Sequence, residues 1–165
     1  GVCTSCLSFM AHDAARTGDA EKLSSLLDAD EALVRSKDKL QRQPLHLAAW
    51  AGHAQCVSLL IERGADVHAE AIDGIRAIHF AAQNGHENAC KELLKARSKV
   101  NVRDTKKLNT PLHLAASKGH AATVAYLLKK NADPTGFNRA KKTPVDVAST
   151  DEVRQAFLAA SKAGG

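Results

Sequence analysis

Apolar residues in this chain come in short clusters rather than long runs, and the clusters recur at a fixed interval. Residues 109–120 read Asn-Thr-Pro-Leu-His-Leu-Ala-Ala-Ser-Lys-Gly-His. There Leu112, Leu114, Ala115 and Ala116 predict one short helix with a small-residue face. Thr110 caps it by accepting an amide hydrogen bond, Pro111 fits the first helical position, and Gly119 supplies the left-handed residue that ends it. Residues 43–53 and 76–86 repeat the pattern, 10–18 hold a degenerate earlier copy, and 143–148 a truncated later one. A second apolar cluster follows the degenerate copy and each of the three full ones. It is Leu23, Leu26 and Leu27, then Cys56, Val57, Leu59, Leu60 and Ile61, then Ala89, Cys90, Leu93 and Leu94, then Val124, Tyr126, Leu127 and Leu128. A closing helix is expected from Glu152 to Ser161, carrying Val153, Ala156, Phe157 and Leu158.

Helices this short do not survive alone in water. They need neighbours, and the spacing provides them: 33 residues from Pro44 to Ala77, 34 to Pro111, 33 more to Pro144, with His12 standing 34 before His46. The period and the Thr-Pro-Leu-His-x-Ala signature resemble the ankyrin repeat, over nearly everything from about Phe9 to about Ala160. The resemblance implies an all-α fold, an ankyrin-repeat solenoid of helix-turn-helix units joined by β-hairpin-like loops. About four repeats and a C-terminal capping unit would occupy 9–161, between an extension at 1–8 and a frayed end at 162–165. Repeat one lacks the Thr-Pro start and places Asp13 where later repeats have Leu47 or Phe80, as suits an end unit facing water. Repeat three has Arg76-Ala77 in place of Thr-Pro and Arg97-Ser98 in place of Gly64-Ala65, and is expected to be the weakest internal joint.

Such arrays are binding scaffolds, and the resemblance assigns the binding face to hairpin tips and to the residue pair before each helix-ending glycine. Those pairs are Arg16-Thr17, Trp50-Ala51, Gln83-Asn84 and Ser117-Lys118, and the tips are 37–42, 70–75, 103–109 and 137–142. The partner-binding candidates are Trp50, Arg42, Gln83, Asn84, Lys106, Lys107, Lys118, Lys141 and Lys142. Trp50, the one tryptophan, is expected to be exposed and to act as an anchor. The extra residue in the third hairpin is expected to push that tip outward. His46, His79 and His113 recur inside the motif and are expected to tie each repeat to the next hairpin; His53, His86 and His120 follow the helix-ending glycines. No carboxylate or thiol recurs beside them at ligand spacing, so no metal is expected.

Composition narrows the picture further. The chain has 165 residues, 44% of them hydrophobic and only 4% aromatic, which suits a core of Leu, Val and Ala. A net charge of +5 favours a protein partner with an acidic surface but is too modest to name nucleic acid. Four cysteines without a disulfide framework fit a reducing, cytosolic setting, with Cys56 and Cys90 as small buried hydrophobes. No nucleophile elbow, phosphate-binding loop or zinc-protease motif is present, so neither enzyme activity nor a cofactor is expected, and the chain is expected to be a monomer.

Residues 1–8, Gly-Val-Cys-Thr-Ser-Cys-Leu-Ser, carry one more signal. With a preceding Met they match the N-myristoylation pattern at Gly1, and Cys3 and Cys6 become candidates for S-palmitoylation. An inert terminus, a redox pair and a metal pair compete with that reading. A redox pair wants a strand before it and a helix after it, neither expected here, and a zinc site wants two more ligands. Two functions follow. One is a protein-binding adaptor tethered to the cytosolic face of a membrane. The other is a soluble inhibitor or regulatory subunit of another protein, such as a kinase.

Overall fold

A computed structural model describes residues 3–163. Nine α-helices form among them: α1 (Thr4–Thr17), α2 (Ala20–Ala29), α3 (Pro44–Ala51), α4 (Ala54–Glu62), α5 (Ala77–Gln83), α6 (Glu87–Lys95), α7 (Pro111–Lys118), α8 (Ala121–Lys129) and α9 (Asp151–Ala163). They stack in two rows. The inner row runs α1, α3, α5, α7 and the outer row α2, α4, α6, α8, α9, each helix touching the next in its row. Alanine pairs let the inner helices approach closely: Ala48-Ala49, Ala81-Ala82 and Ala115-Ala116 are all inaccessible to solvent. Leu45, Ile78 and Leu112 occupy one position in successive repeats and are fully buried, each burial contributing about 1.5–3 kcal/mol.

The recurring histidines join the units. His46 Nδ1 accepts the Gln43 amide at 2.9 Å, so the ring proton sits on Nε2, which donates to the Ala69 carbonyl of the next hairpin at 3.0 Å. His113 does the same with Thr110 (3.2 Å) and Lys142 (3.0 Å). The second set packs backwards. His53 Nε2 donates to the Arg16 carbonyl at 3.1 Å, and its ring lies where a Cβ on Gly18 would stand, 2.6 Å from Nδ1. Gly18 therefore answers two demands, a φ of +83° and an occupied space. Gly52 with His86 and Gly85 with His120 repeat the contact.

The hairpin loops close with Asp38 N–H to Arg42 carbonyl (3.0 Å), Ala71 to Ile75 (2.8 Å), Asp104 to Asn109 (3.0 Å) and Asn138 to Lys142 (3.0 Å). The third loop is one residue wider, which places the extra residue of the 34-residue spacing within the turn itself. Neighbouring tips are also bonded to each other: Ile72 N–H to Leu40 carbonyl (3.1 Å), Thr105 to Asp73 (2.8 Å) and Arg139 to Lys107 (2.8 Å).

Two expectations change. The sequence reading started the first helix at His12, inside a repeat beginning near Met10, and set residues 1–8 apart, whereas α1 begins at Thr4 and crosses that boundary. Leu7 and Met10, three apart on one helical face, pack against the core and carry the helix upstream. In the last unit, 143–148 form a turn rather than a helix. Val145 and Val147 are β-branched, no Ala-x-x-Gly continuation follows, and Val145 is left 40% exposed where its counterpart Leu112 is buried.

Candidate functional site

The concave side of the inner row carries three adjoining clefts. At the α1 end, α1, the first hairpin tip and α3 enclose about 810 Å³. Phe9, three residues before His12, projects from the N-terminal half of α1, Leu40 from the tip, and Leu47 and Trp50 from α3. Phe9 is 71% exposed, Leu40 48% and Trp50 46%, so three large apolar side chains face water together. Scattered exposed hydrophobics need no explanation, but here three come from three different elements and line one cleft.

The rim is polar. Lys37 and Lys39 are exposed, and neither forms an ion pair among the described residues. Arg42 reaches back to Asp38 at 2.8 Å, and Arg16 to Asp13 at 2.6 Å. Burial pushes the Asp38 carboxyl up, but the Arg42 amide and guanidinium and the Leu40 amide outweigh it and hold the group below its ordinary value. Arg42 is thus committed to shaping the tip.

A middle cleft of about 630 Å³ lies between Trp50, Ala51, Gln83, Asn84, His86, Lys118 and His120. Asn84 is half-buried and its side-chain amide donates to the Trp50 carbonyl at 2.7 Å, tying α5 to α3. The far cleft, about 750 Å³, is bordered by Gln83, Lys107, Asn109, Lys118 and Arg139. The face therefore passes from apolar at the α1 end to cationic at the other. Of the sequence candidates, Trp50, Arg42, Gln83, Asn84, Lys107 and Lys118 line these clefts. Lys106, Lys141 and Lys142 do not: Lys106 reaches Asp73 at 3.4 Å, and the other two are exposed on the fourth tip. Phe9 and Leu40 were missed. Leu40 was the signal to follow, a large apolar residue in a tip otherwise rich in base.

Elsewhere the thiols divide into two kinds. Cys56 and Cys90 are buried, and burial pushes the Cys90 thiol up to about 12. Cys3 and Cys6 are exposed on the first turn of α1. Gly1, the expected myristoylation point, lies outside the described residues. Among the described residues no helix is long and apolar enough to cross a membrane.

Known proteins carry the same repeat in their sequences. The family described as ankyrin repeats (3 copies) matches residues 6–71 and 68–138. The E3 ubiquitin-protein ligase XBAT33 of Arabidopsis thaliana is 34% identical over 145 residues, an alignment covering 87% of this chain and 28% of that protein. The transient receptor potential cation channel subfamily A member 1 homolog of Caenorhabditis elegans is 34% identical over 121 residues, 73% of this chain and 10% of the relative. Inversin of Mus musculus is 36% identical over 125 residues, 76% and 12% respectively. The shared region is a small part of each relative and nearly all of it falls in the two-row stack described above. This chain belongs to the ankyrin repeat family.

Proposed function

We propose that the chain is a non-enzymatic protein-binding module whose principal docking site is the groove between α1, the first hairpin tip and α3. The occupant that fits is a peptide segment with an aromatic or large aliphatic anchor flanked by acidic residues. The observation that carries this reading is the convergence of exposed Phe9, Leu40 and Trp50 beside unpaired Lys37 and Lys39. The apolar floor offers burial to the anchor, while the lysines select its flanks and speed encounter.

A random peptide library selected against the protein tests it. Enriched sequences should pair Phe, Trp or Leu with Asp or Glu, and binding should quench or shift Trp50 emission, which in the free protein should be red-shifted and open to acrylamide. Trp50→Ala should weaken the selected peptide about 30-fold, the scale of an interface hot spot. Enrichment without acidic flanks, or binding that survives Trp50→Ala, overturns the assignment.

The finer form of this reading adds a membrane tether, with N-myristoyl on Gly1 and S-palmitoyl on Cys3 and Cys6. Its support is the exposure of both thiols on α1. One myristoyl chain binds membranes only marginally, so a second anchor is required. Fractionation of the protein expressed with its native start decides: Gly1→Ala should turn soluble, and a variant that still pellets with membranes ends the tether. The alternative, a soluble regulatory subunit of another protein such as a kinase, uses the same groove without the lipid.

A further inference from the structure

The sequence reading set aside a redox role for Cys3 and Cys6 partly because no helix was expected to follow them. The structure places one there. Cys3 is the N-cap of α1 and Cys6 the third helical residue, so the Cys-Thr-Ser-Cys segment forms the helix's first turn. The two Sγ atoms are 2.8 Å apart, the Ser5 hydroxyl is 3.2 Å from the Cys3 sulfur, and both thiols are open to solvent.

We infer that Cys3 and Cys6 form a reversible dithiol–disulfide couple that exchanges with low-molecular-weight disulfides, Cys3 attacking and Cys6 resolving. The Cys3 thiolate attacks one sulfur of the small disulfide, forming a mixed disulfide and expelling one thiolate. The Cys6 thiolate then attacks the Cys3 sulfur, closing the protein disulfide and expelling the second thiolate. The protein gives up two electrons and two protons, and the small disulfide becomes two thiols.

The division of labour follows from the turn. Hydrogen bonds from the Cys6 thiol, the Ser5 hydroxyl and the Cys6 amide bring the Cys3 thiol down to about 7. Hydrogen bonding to Cys3 and the charge there push the Cys6 thiol up. The positive end of the helix dipole favours a thiolate at Cys3 in addition. Cys56 and Cys90, buried and with raised thiols, serve as unreactive controls within the same molecule. This chemistry competes with S-acylation for the same two sulfurs and stands independently of the groove.

The test uses the full chain, equilibrated in mixtures of reduced and oxidised glutathione, trapped by alkylation and read by intact and peptide mass. The wild type should lose two hydrogens in the peptide holding Cys3 and Cys6, fully restored by dithiothreitol, with Cys56 and Cys90 alkylated only after unfolding. Cys6→Ser should accumulate a glutathione adduct on Cys3, and the mixed disulfide trapped early from the wild type should sit on Cys3 rather than on Cys6. Two glutathione adducts on the wild type, or an early adduct on Cys6 instead of Cys3, overturn the couple as assigned. A hydroxylamine-labile acyl group on both cysteines of protein from its native cell overturns it as well, in favour of the lipid tether.

Discussion

Repeat three, built on α5 and α6, and repeat four, built on α7 and α8, share one backbone plan and satisfy it differently. In repeat four the Thr110 hydroxyl accepts the His113 amide at 3.3 Å, His113 Nε2 meets the Lys142 carbonyl at 3.0 Å, and Ala132 follows the left-handed Asn131. In repeat three each of these is impaired. Arg76 has only donors to offer and caps nothing; it is anchored to Glu70 at 2.8 Å instead. His79 Nε2 lies near the carbonyls of Asn109 and Val102 but meets neither with good hydrogen-bond geometry. Arg97 holds a φ of +65°, and the Ser98 hydroxyl is buried without a partner where Ala65 and Ala132 stand in the flanking repeats. The fold is retained because Ile78, Ala81, Ala82, Ala89, Cys90 and Leu93 remain fully buried. Packing carries a repeat whose polar contacts are incomplete.

The largest way to widen this difference is acid. Burial lowers the pKa of His79 from 6.5 to about 4, so the folded state binds fewer protons than the unfolded chain between those values. Its stabilisation is therefore complete above pH 6.5 and is lost as pH falls towards 4, by up to about 3 kcal/mol. Denaturant midpoints measured across that window should fall, and NMR should show His79 titrating below His113; the reverse order refutes the assignment. Next, Arg97→Gly relieves a left-handed side chain with no bonds of its own and should raise stability by about 1–2 kcal/mol, against no comparable gain from Gly at 64, already present. Arg76→Thr with Ala77→Pro restores the cap of repeat four. Arg76 is already extended, at φ −103° and ψ 165°, as a residue before proline must be. The exposed pair with Glu70 is worth little, so about 1 kcal/mol should be gained in urea titration. Smallest is Ser98→Ala, which removes an orphaned hydroxyl and should be neutral or stabilising by up to about 1 kcal/mol. A clear loss there would reveal a bound partner for the hydroxyl.

Much of this was legible in the chain. The period, the starts and stops of the helices in repeats two to four and the buried cysteines follow from local chemistry repeated at 33 or 34 residues, while the tie from His46 and His113 to the next hairpin came from the family resemblance. What escaped was non-periodic. Residues 4–8 carry no motif, and their helix is settled by Leu7 and Met10 finding the core. The groove joins Phe9, Leu40 and Trp50, which no local pattern relates, and misplacing the start of α1 hid its first member. Asn84 was expected to serve partner binding, but its amide is spent on a neighbouring carbonyl that only the stack brings near.

The bonds between hairpin tips make the array readable from outside. The amides of Ile72, Thr105 and Arg139 each cross one junction and are tied to nothing else in their own loop. Hydrogen exchange at those three protons would report three separate opening equilibria, one per junction, in a molecule whose global unfolding gives a single number. A loose repeat three would show up as Thr105 exchanging faster than Arg139, turning a chain of units into a measurable sequence of latches.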